Sequence, residues 1–168
     1  MGTEAVAVFA TRSVKGEVVF KQRKGGVEVN ATFTQLAGNH GFHIHKAGDL
    51  RGEGCKGACD HYHIGPPQHH GGPPQTRSGE TRSGETRSGQ PNGQPNGQTK
   101  KQRHTGDLGN VTEGSYRYVL KDVLVEDLFG RSVIIHADED DYGLGGFDDS
   151  LTTGHSGKRI ACAVIGRV

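Results

Sequence analysis

The apolar residues of this chain recur at every second position, in short runs. In VEVNATFT, Val27, Val29, Ala31 and Phe33 fall on one side while Glu28, Asn30, Thr32 and Thr34 fall on the other. That is the signature of a strand with one face buried. Comparable runs occur at EAVAVF, GEVVFKQ, GFHIH, YRYVLKDVLV, RSVIIHA and RIACAVI, separated by polar or Gly-rich turns such as RKGG. No stretch carries a helical stripe, so each sheet must cover its apolar face with another sheet. The expected fold is all-β, an eight-stranded antiparallel Greek-key barrel or sandwich of immunoglobulin-like type.

Two regions fall outside this alternation. Residues 46–113 contain CDHYHIGPPQHHGG and then the repeats TRSGE, TRSGE, TRSGQ, PNGQ and PNGQ at 76–98. The repeats offer no side chain for a core and are too short and polar for a solenoid, so a loop is expected there. Residues 137–158 are acidic and Gly-rich, and their GLGG does not lie between a strand and a helix, which argues against a nucleotide-binding loop. With 168 residues, the chain is expected to form a single domain over 1–168 with a low-complexity insertion at about 75–100.

Lys and Arg total 20 against 19 Asp and Glu, so the charge balance gives no argument for nucleic acid or an anionic membrane as partner. The N-terminus has no basic-then-apolar leader and no apolar run approaches the ~20 residues of a membrane span. The chain is therefore expected to be cytoplasmic, with the sequons at Asn30 and Asn110 unused. Three cysteines, Cys55, Cys59 and Cys162, would ordinarily stay reduced in that compartment.

The chemistry lies in the ten histidines. In HGFHIH, Phe42 and Ile44 share one strand face, which places His43 and His45 together on the other, a spacing suited to chelation. A second strand, VIIH, ends in His136, and RHTGDLGN sets His104 three residues before Asp107. Imidazole-only ligation suits copper and a His-rich set with one carboxylate suits zinc, so two adjacent sites of different character are the simplest use of these ligands.

In order along the chain, GFHIH, HGGP, RHTGDLGNVT, VIIHADEDD and TTGHSGKRIACAVIG closely resemble the copper/zinc superoxide dismutase family from Ala5 to Gly166, apart from the repeats. The resemblance implies long metal-binding and electrostatic loops. It implies copper held by His43, His45, His61 and His136, and zinc held by His61, His70, His104 and Asp107, with His61 shared. It further implies Arg159 as the anchor for the superoxide anion, Asp140 as the carboxylate behind His43 and His70, and a disulfide between Cys55 and Cys162. The implied activity converts superoxide to dioxygen and hydrogen peroxide as copper is alternately reduced and reoxidised. A homodimer and a copper-delivery protein are the implied partners.

Several departures stand out. Counting from His61 by the family's spacing reaches His69, whereas HGGP selects His70. His63 stands where asparagine is common and is expected to hydrogen-bond rather than ligate; Asp60 and Cys59 are expected to be bystanders. The insertion carries Arg77, Arg82, Arg87, Lys100, Lys101 and Arg103 against Glu80 and Glu85, while the loop after His136 is acidic. The inserted cations replace part of a steering field, merely lengthen a tolerated loop, given screening beyond about 8 Å, or form a basic tether for an acidic partner. Arg167 occupies a position usually apolar at the dimer contact. Two rival readings are a metal-buffering or copper-delivery protein and a zinc-only structural protein; metal analysis with a superoxide assay separates all three.

Overall fold

The computed structural model describes residues 3–74 and 102–168; the repeats at 76–98 and the expectations placed on them lie outside the described residues. Among the described residues, β1 (Glu4–Ala10), β2 (Lys15–Arg23), β3 (Gly26–Gln35), β4 (His40–His45), β5 (Asp107–Val111), β6 (Gly114–Lys121), β7 (Ser132–His136), β8 (Arg159–Val164) and the two-residue β9 (Gly166–Arg167) form two antiparallel sheets. One sheet has the order β6-β3-β2-β1-β9, the other β5-β4-β7-β8. The alternation in β3 is as expected: Val27, Val29, Ala31 and Phe33 are buried. With Ala5, Ala7, Phe9, Val18 and Phe20 from β1 and β2 they face Phe42, Ile44, Val133 and Ile135 of the second sheet. Phe33 sits centrally, with ring centroids 5.9 Å from Phe9 and 5.6 Å from Phe42.

The β2–β3 hairpin turns through Lys24 and Gly25, with Arg23 opposite Gly26. Gly26 has no alternative there, because a Cβ would run into the Leu120 carbonyl oxygen of β6.

Three expectations need correction. Strand β5 forms inside the stretch 46–113 that showed no strand pattern, because DLGNV is interrupted by a bulge and its alternation is broken. YRYVLKDVLV is not one strand: β6 stops at Lys121, Asp122 takes a left-handed φ of 58°, and Val125–Leu128 form a 3-10 turn. The eight expected strands gain a short ninth, β9, whose Arg167 pairs with Ala5.

Candidate metal centre

Strand β4 is buried on both faces. Phe42 and Ile44 enter the core, and His43 and His45 point the other way, under the loops, at 0% and 1% exposure. In the β4–β7 ladder His43 lies opposite Ile134 and His45 opposite Ser132, so His136, two residues on from Ile134, shares their face.

Two bulges bring in residues that a regular ladder would have aimed at the core. Between β4 and β5, Gly41 pairs with Asn110 but His43 pairs with Asp107. The extra residue on β5, with Gly109 at φ 80°, turns Asp107 to the histidine side. Between β7 and β8, Ile135 pairs with Ala161 but His136 pairs with Arg159. The extra residue there is Ile160, and it leaves Arg159 beside His136.

The segment through His61 runs along β4 as a partial strand. Tyr62 N–H donates to Ile44 O (2.8 Å) and Lys46 N–H to Asp60 O (2.9 Å), and a single bridge joins His45 with His61. Gly106 is squeezed against Ile44, where a Cβ would meet the carbonyl oxygen.

Two groups result. One nitrogen each from His43, His45, His61 and His136 lie within 4.8 Å of one another, and a second such group joins His61, His70, His104 and Asp107. His61 belongs to both: its Nδ1 is 2.9 Å from Asp107 Oδ1 and 3.2 Å from His70 Nδ1. Its Nε2 is buried without a hydrogen-bond partner among the described residues, as are His43 Nδ1 and His104 Nδ1. Buried polar atoms left unpaired are costly, and imidazole nitrogens converging without donors are what a cation requires. The donor set therefore fits copper at the all-imidazole group and zinc at the group containing Asp107.

The outward nitrogens of His43, His70, His45 and His136 are engaged. His43 Nε2 lies 2.6 Å from Asp140 Oδ2, His70 Nε2 lies 2.7 Å from Asp140 Oδ1, His45 Nδ1 faces Cys59 O (2.8 Å) and His136 Nδ1 faces Gly157 O (3.1 Å). Such partners fix ring orientation. Asp140 is itself held by Asn110, whose amide donates to Asp140 O (2.9 Å) and accepts from Asp140 N–H (2.7 Å). Nothing in the residue pattern pointed to this role for Asn110, which carries no metal-ligand chemistry and stood out only as a sequon.

Electrostatics divide the groups. Burial, reinforced by charge on neighbouring imidazoles, pushes His43 and His45 well below the ordinary histidine range, and burial takes His136 down to about 3. These rings are neutral, the form that ligates. At His70 burial is outweighed by hydrogen bonds to Asp107 and Asp140, which raise it to about 9. Asp107 resists burial too: close contacts with the His104, His61 and His70 rings hold its carboxyl far below the usual range. Burial wins at Asp140, which moves up despite His70.

The remaining expected residues fall as follows. His70 is buried in the second group, while His69, one residue earlier, is exposed. His63 hydrogen-bonds through both nitrogens, to Pro66 O and to the Thr105 backbone N–H. Arg159 donates to Cys55 O (2.8 Å) and Cys59 O (2.6 Å). Cys55 is disulfide-bonded to Cys162, which faces the same side of β8 as its partner Ile134 on β7. Cys59 is a free, exposed thiol outside both donor groups, and its backbone carbonyl meets both His45 and Arg159.

An antiparallel β-sandwich with two adjacent donor groups that have His61 in common fits the class of dinuclear metalloproteins. The family model described as copper/zinc superoxide dismutase (SODC) matches residues 14–165. A protein of Paramecium bursaria Chlorella virus 1 named superoxide dismutase (Cu-Zn) is 38% identical over 164 residues, covering 91% of this chain and 73% of its own. A Yarrowia lipolytica protein of the same name is 38% identical over 177 residues, covering 97% of each. Among solved structures, the crystal structure of the clock protein EA4 aligns with a TM-score of 0.73 and 32% identity, covering 98% of this chain and 94% of that one. This chain belongs to the copper/zinc superoxide dismutase family. It is an oxidoreductase that dismutates superoxide to dioxygen and hydrogen peroxide, with copper and zinc as cofactors.

Proposed function

We propose that His43, His45, His61 and His136 hold the copper, that His61, His70, His104 and Asp107 hold the zinc, and that His61 serves both. The observation that carries this reading is His61 itself, buried, with Nδ1 turned to Asp107 and Nε2 without a hydrogen-bond partner among the described residues. Copper, when bound, supplies reversible one-electron chemistry, and zinc supplies a fixed charge without redox change. Arg159 binds and orients the anionic substrate. Its guanidinium is held in place by two backbone carbonyls, so no reorganisation is needed when the anion arrives. His61 takes up and releases a proton at Nε2, the atom that has no hydrogen-bond partner among the described residues. Asp140 keeps His43 and His70 in register with one another by accepting at Nε2 of both.

The test is metal analysis and a superoxide assay on protein reconstituted with copper and zinc. Wild type should hold both metals, and His61→Ala should lose activity while retaining the fold. Full activity in His61→Ala would overturn the shared role. Arg159→Gln should lower activity about tenfold, the scale of one charge-assisted contact of ~1.5 kcal/mol. Undiminished turnover would remove Arg159 from substrate binding.

The proposal extends to quaternary state and setting. Val8 on β1 and Ile160 and Val164 on β8 are apolar and exposed at 57%, 42% and 42%, which supports a homodimer even with the exposed Arg167 nearby in the first sheet. Sedimentation at micromolar concentration tests it. A cytoplasmic setting and loading by a copper-delivery protein are part of the same reading; no helix among the described residues is long and apolar enough to cross a membrane.

A further inference from the structure

The segment that this chain inserts into its metal loop leaves the described structure after Pro74 and returns at Gln102, and the two ends meet at Asp107. Asp107 Oδ2 accepts from Gly71 N–H (3.0 Å) on the outgoing side and from His104 N–H (2.8 Å) on the returning side. Its Oδ1 meanwhile faces His61, His70 and His104. Gly71 lies so close to the returning chain that a Cβ would strike Gln102 O, with Arg103 Cβ at 3.0 Å. Arg103 completes the junction. Its Nε donates to Gly72 O (3.0 Å), and Nη2 reaches Thr105 O (3.2 Å) and also Asp107 O. One planar side chain thus spans the outgoing strand of the neck and the turn that presents His104 and Asp107.

Residues 75–101 separate the two ends in sequence. The entropic cost of bringing two points of a chain together grows with the number of residues between them, so ends this far apart are harder to hold together than ends a few residues apart by roughly an order of magnitude. The neck must therefore be held by contacts, and the fork geometry of arginine is suited to several carbonyls at once.

We propose that Arg103 is the positioning residue that closes the neck of the insertion, so that the zinc half of the site keeps its geometry whatever the length of chain between Pro74 and Gln102. This rests on the reading of His61, His70, His104 and Asp107 as zinc ligands. Arg103 touches no ligand nitrogen; it acts through Gly72 on one side and through the Thr105 and Asp107 carbonyls on the other.

The experiment compares Arg103→Met in the full chain and in a chain shortened by removal of residues 76–98. Zinc affinity is measured by chelator competition, and the visible absorption of cobalt(II) in the same site reports its geometry. In the full chain Arg103→Met should weaken zinc about tenfold and alter the cobalt spectrum. In the shortened chain, where the ends are held covalently, the loss should be about threefold or less and the spectrum should stay that of the parent. Equal losses in both chains would overturn the proposal, because Arg103 would then act only within its own turn. Arg103→Lys, which keeps the charge but cannot fork, is the second variant and must show the same length-dependent loss. If the full parent chain gives a cobalt spectrum that His104→Ala does not abolish, the zinc reading itself falls and the proposal with it.

Discussion

Cys59 has φ 62° and ψ −149°, a backbone conformation that is almost confined to glycine. The strain persists because the Cys59 carbonyl is held between His45 Nδ1 and Arg159 Nη2. Cys59→Gly keeps that carbonyl and removes the Cβ. Relief of about 1–3 kcal/mol, less the ~0.5–1 kcal/mol of extra chain entropy that glycine brings, leaves a net gain of about 1 kcal/mol. Thermal unfolding should show a higher midpoint with metal content unchanged; a lower midpoint would mean the backbone there is not strained. A second single residue sets a pH dependence. Glu28 on β3 is held by Arg117 (2.6 Å), Asn30 (3.1 Å) and Arg23 (3.2 Å); the hydrogen bonds from Arg117, first, and Asn30, with the charges of Arg117 and Arg23, lower its carboxyl from 4.5 to about 2. A carboxyl lowered in the folded state stabilises above its unfolded value, and that contribution disappears as pH falls through the folded one. The side chain is only 13% exposed, yet it lies in a shallow position at the sheet surface and solvent screens it, so about 0.5–1 kcal/mol is expected. Denaturant melts of Glu28→Gln and wild type should differ by that amount at neutral pH and converge between pH 4.5 and 2. A constant offset across that range would mean the carboxylate charge is not what stabilises.

At the scale of elements, both metal-facing bulges depend on local backbone that side-chain periodicity does not report. Gly109 illustrates why: at φ 80°, an added Cβ would press on the Pro73 ring at 3.0 Å. Gly109→Ala should cost about 1–2 kcal/mol and, by straightening β5, should reduce zinc retention as Asp107 turns away. Gly72→Ala is the control, since its nearest contacts are 3.6 Å away on Tyr142 and its φ is not in the left-handed region. Urea unfolding of the two variants checks the contrast; equal stabilities would show that the bulge does not need glycine. This is also where the sequence was legible and where it was not. His43 and His45 were placed on one face by simple alternation with Phe42 and Ile44, and the core faces of β1 to β3 followed the same rule. Asp107 and Arg159 could not be placed that way, because one extra residue in β5 and one in β8 reverse the face that alternation assigns. Their functional assignment came from the family resemblance alone. Asn110 and the Cys59 carbonyl were invisible because their contribution is hydrogen bonding to backbone, which leaves no pattern in residue type. His69 and His70 were equally plausible by composition, and tertiary burial separated them.

Across the whole molecule, the Cys55–Cys162 bond is the only covalent link between the metal loop and the sandwich among the described residues. It joins a loop with little apolar content to β8, next to the strand bearing His136. Its sequence separation of 107 is large, and closing so long a loop removes much of the unfolded chain's freedom; the entropic model gives about 4.7 kcal/mol for loops of this size, with about 2–4 kcal/mol typical of measurement. The bond also holds the Cys55 carbonyl that accepts from Arg159 Nη1. Cys162→Ser should therefore act twice. Global stability should fall by about 3 kcal/mol in denaturant unfolding, and the loop that bears His61 should open more often than the sheets do. Hydrogen exchange on the folded variant separates the two effects: Lys46 N–H and Tyr62 N–H, which tie the loop to β4, should lose protection, while the amides of β2 and β3 remain protected up to the global limit. If protection at Lys46 and Tyr62 falls only in proportion to global stability, the disulfide restrains the unfolded chain and does nothing particular for the metal loop.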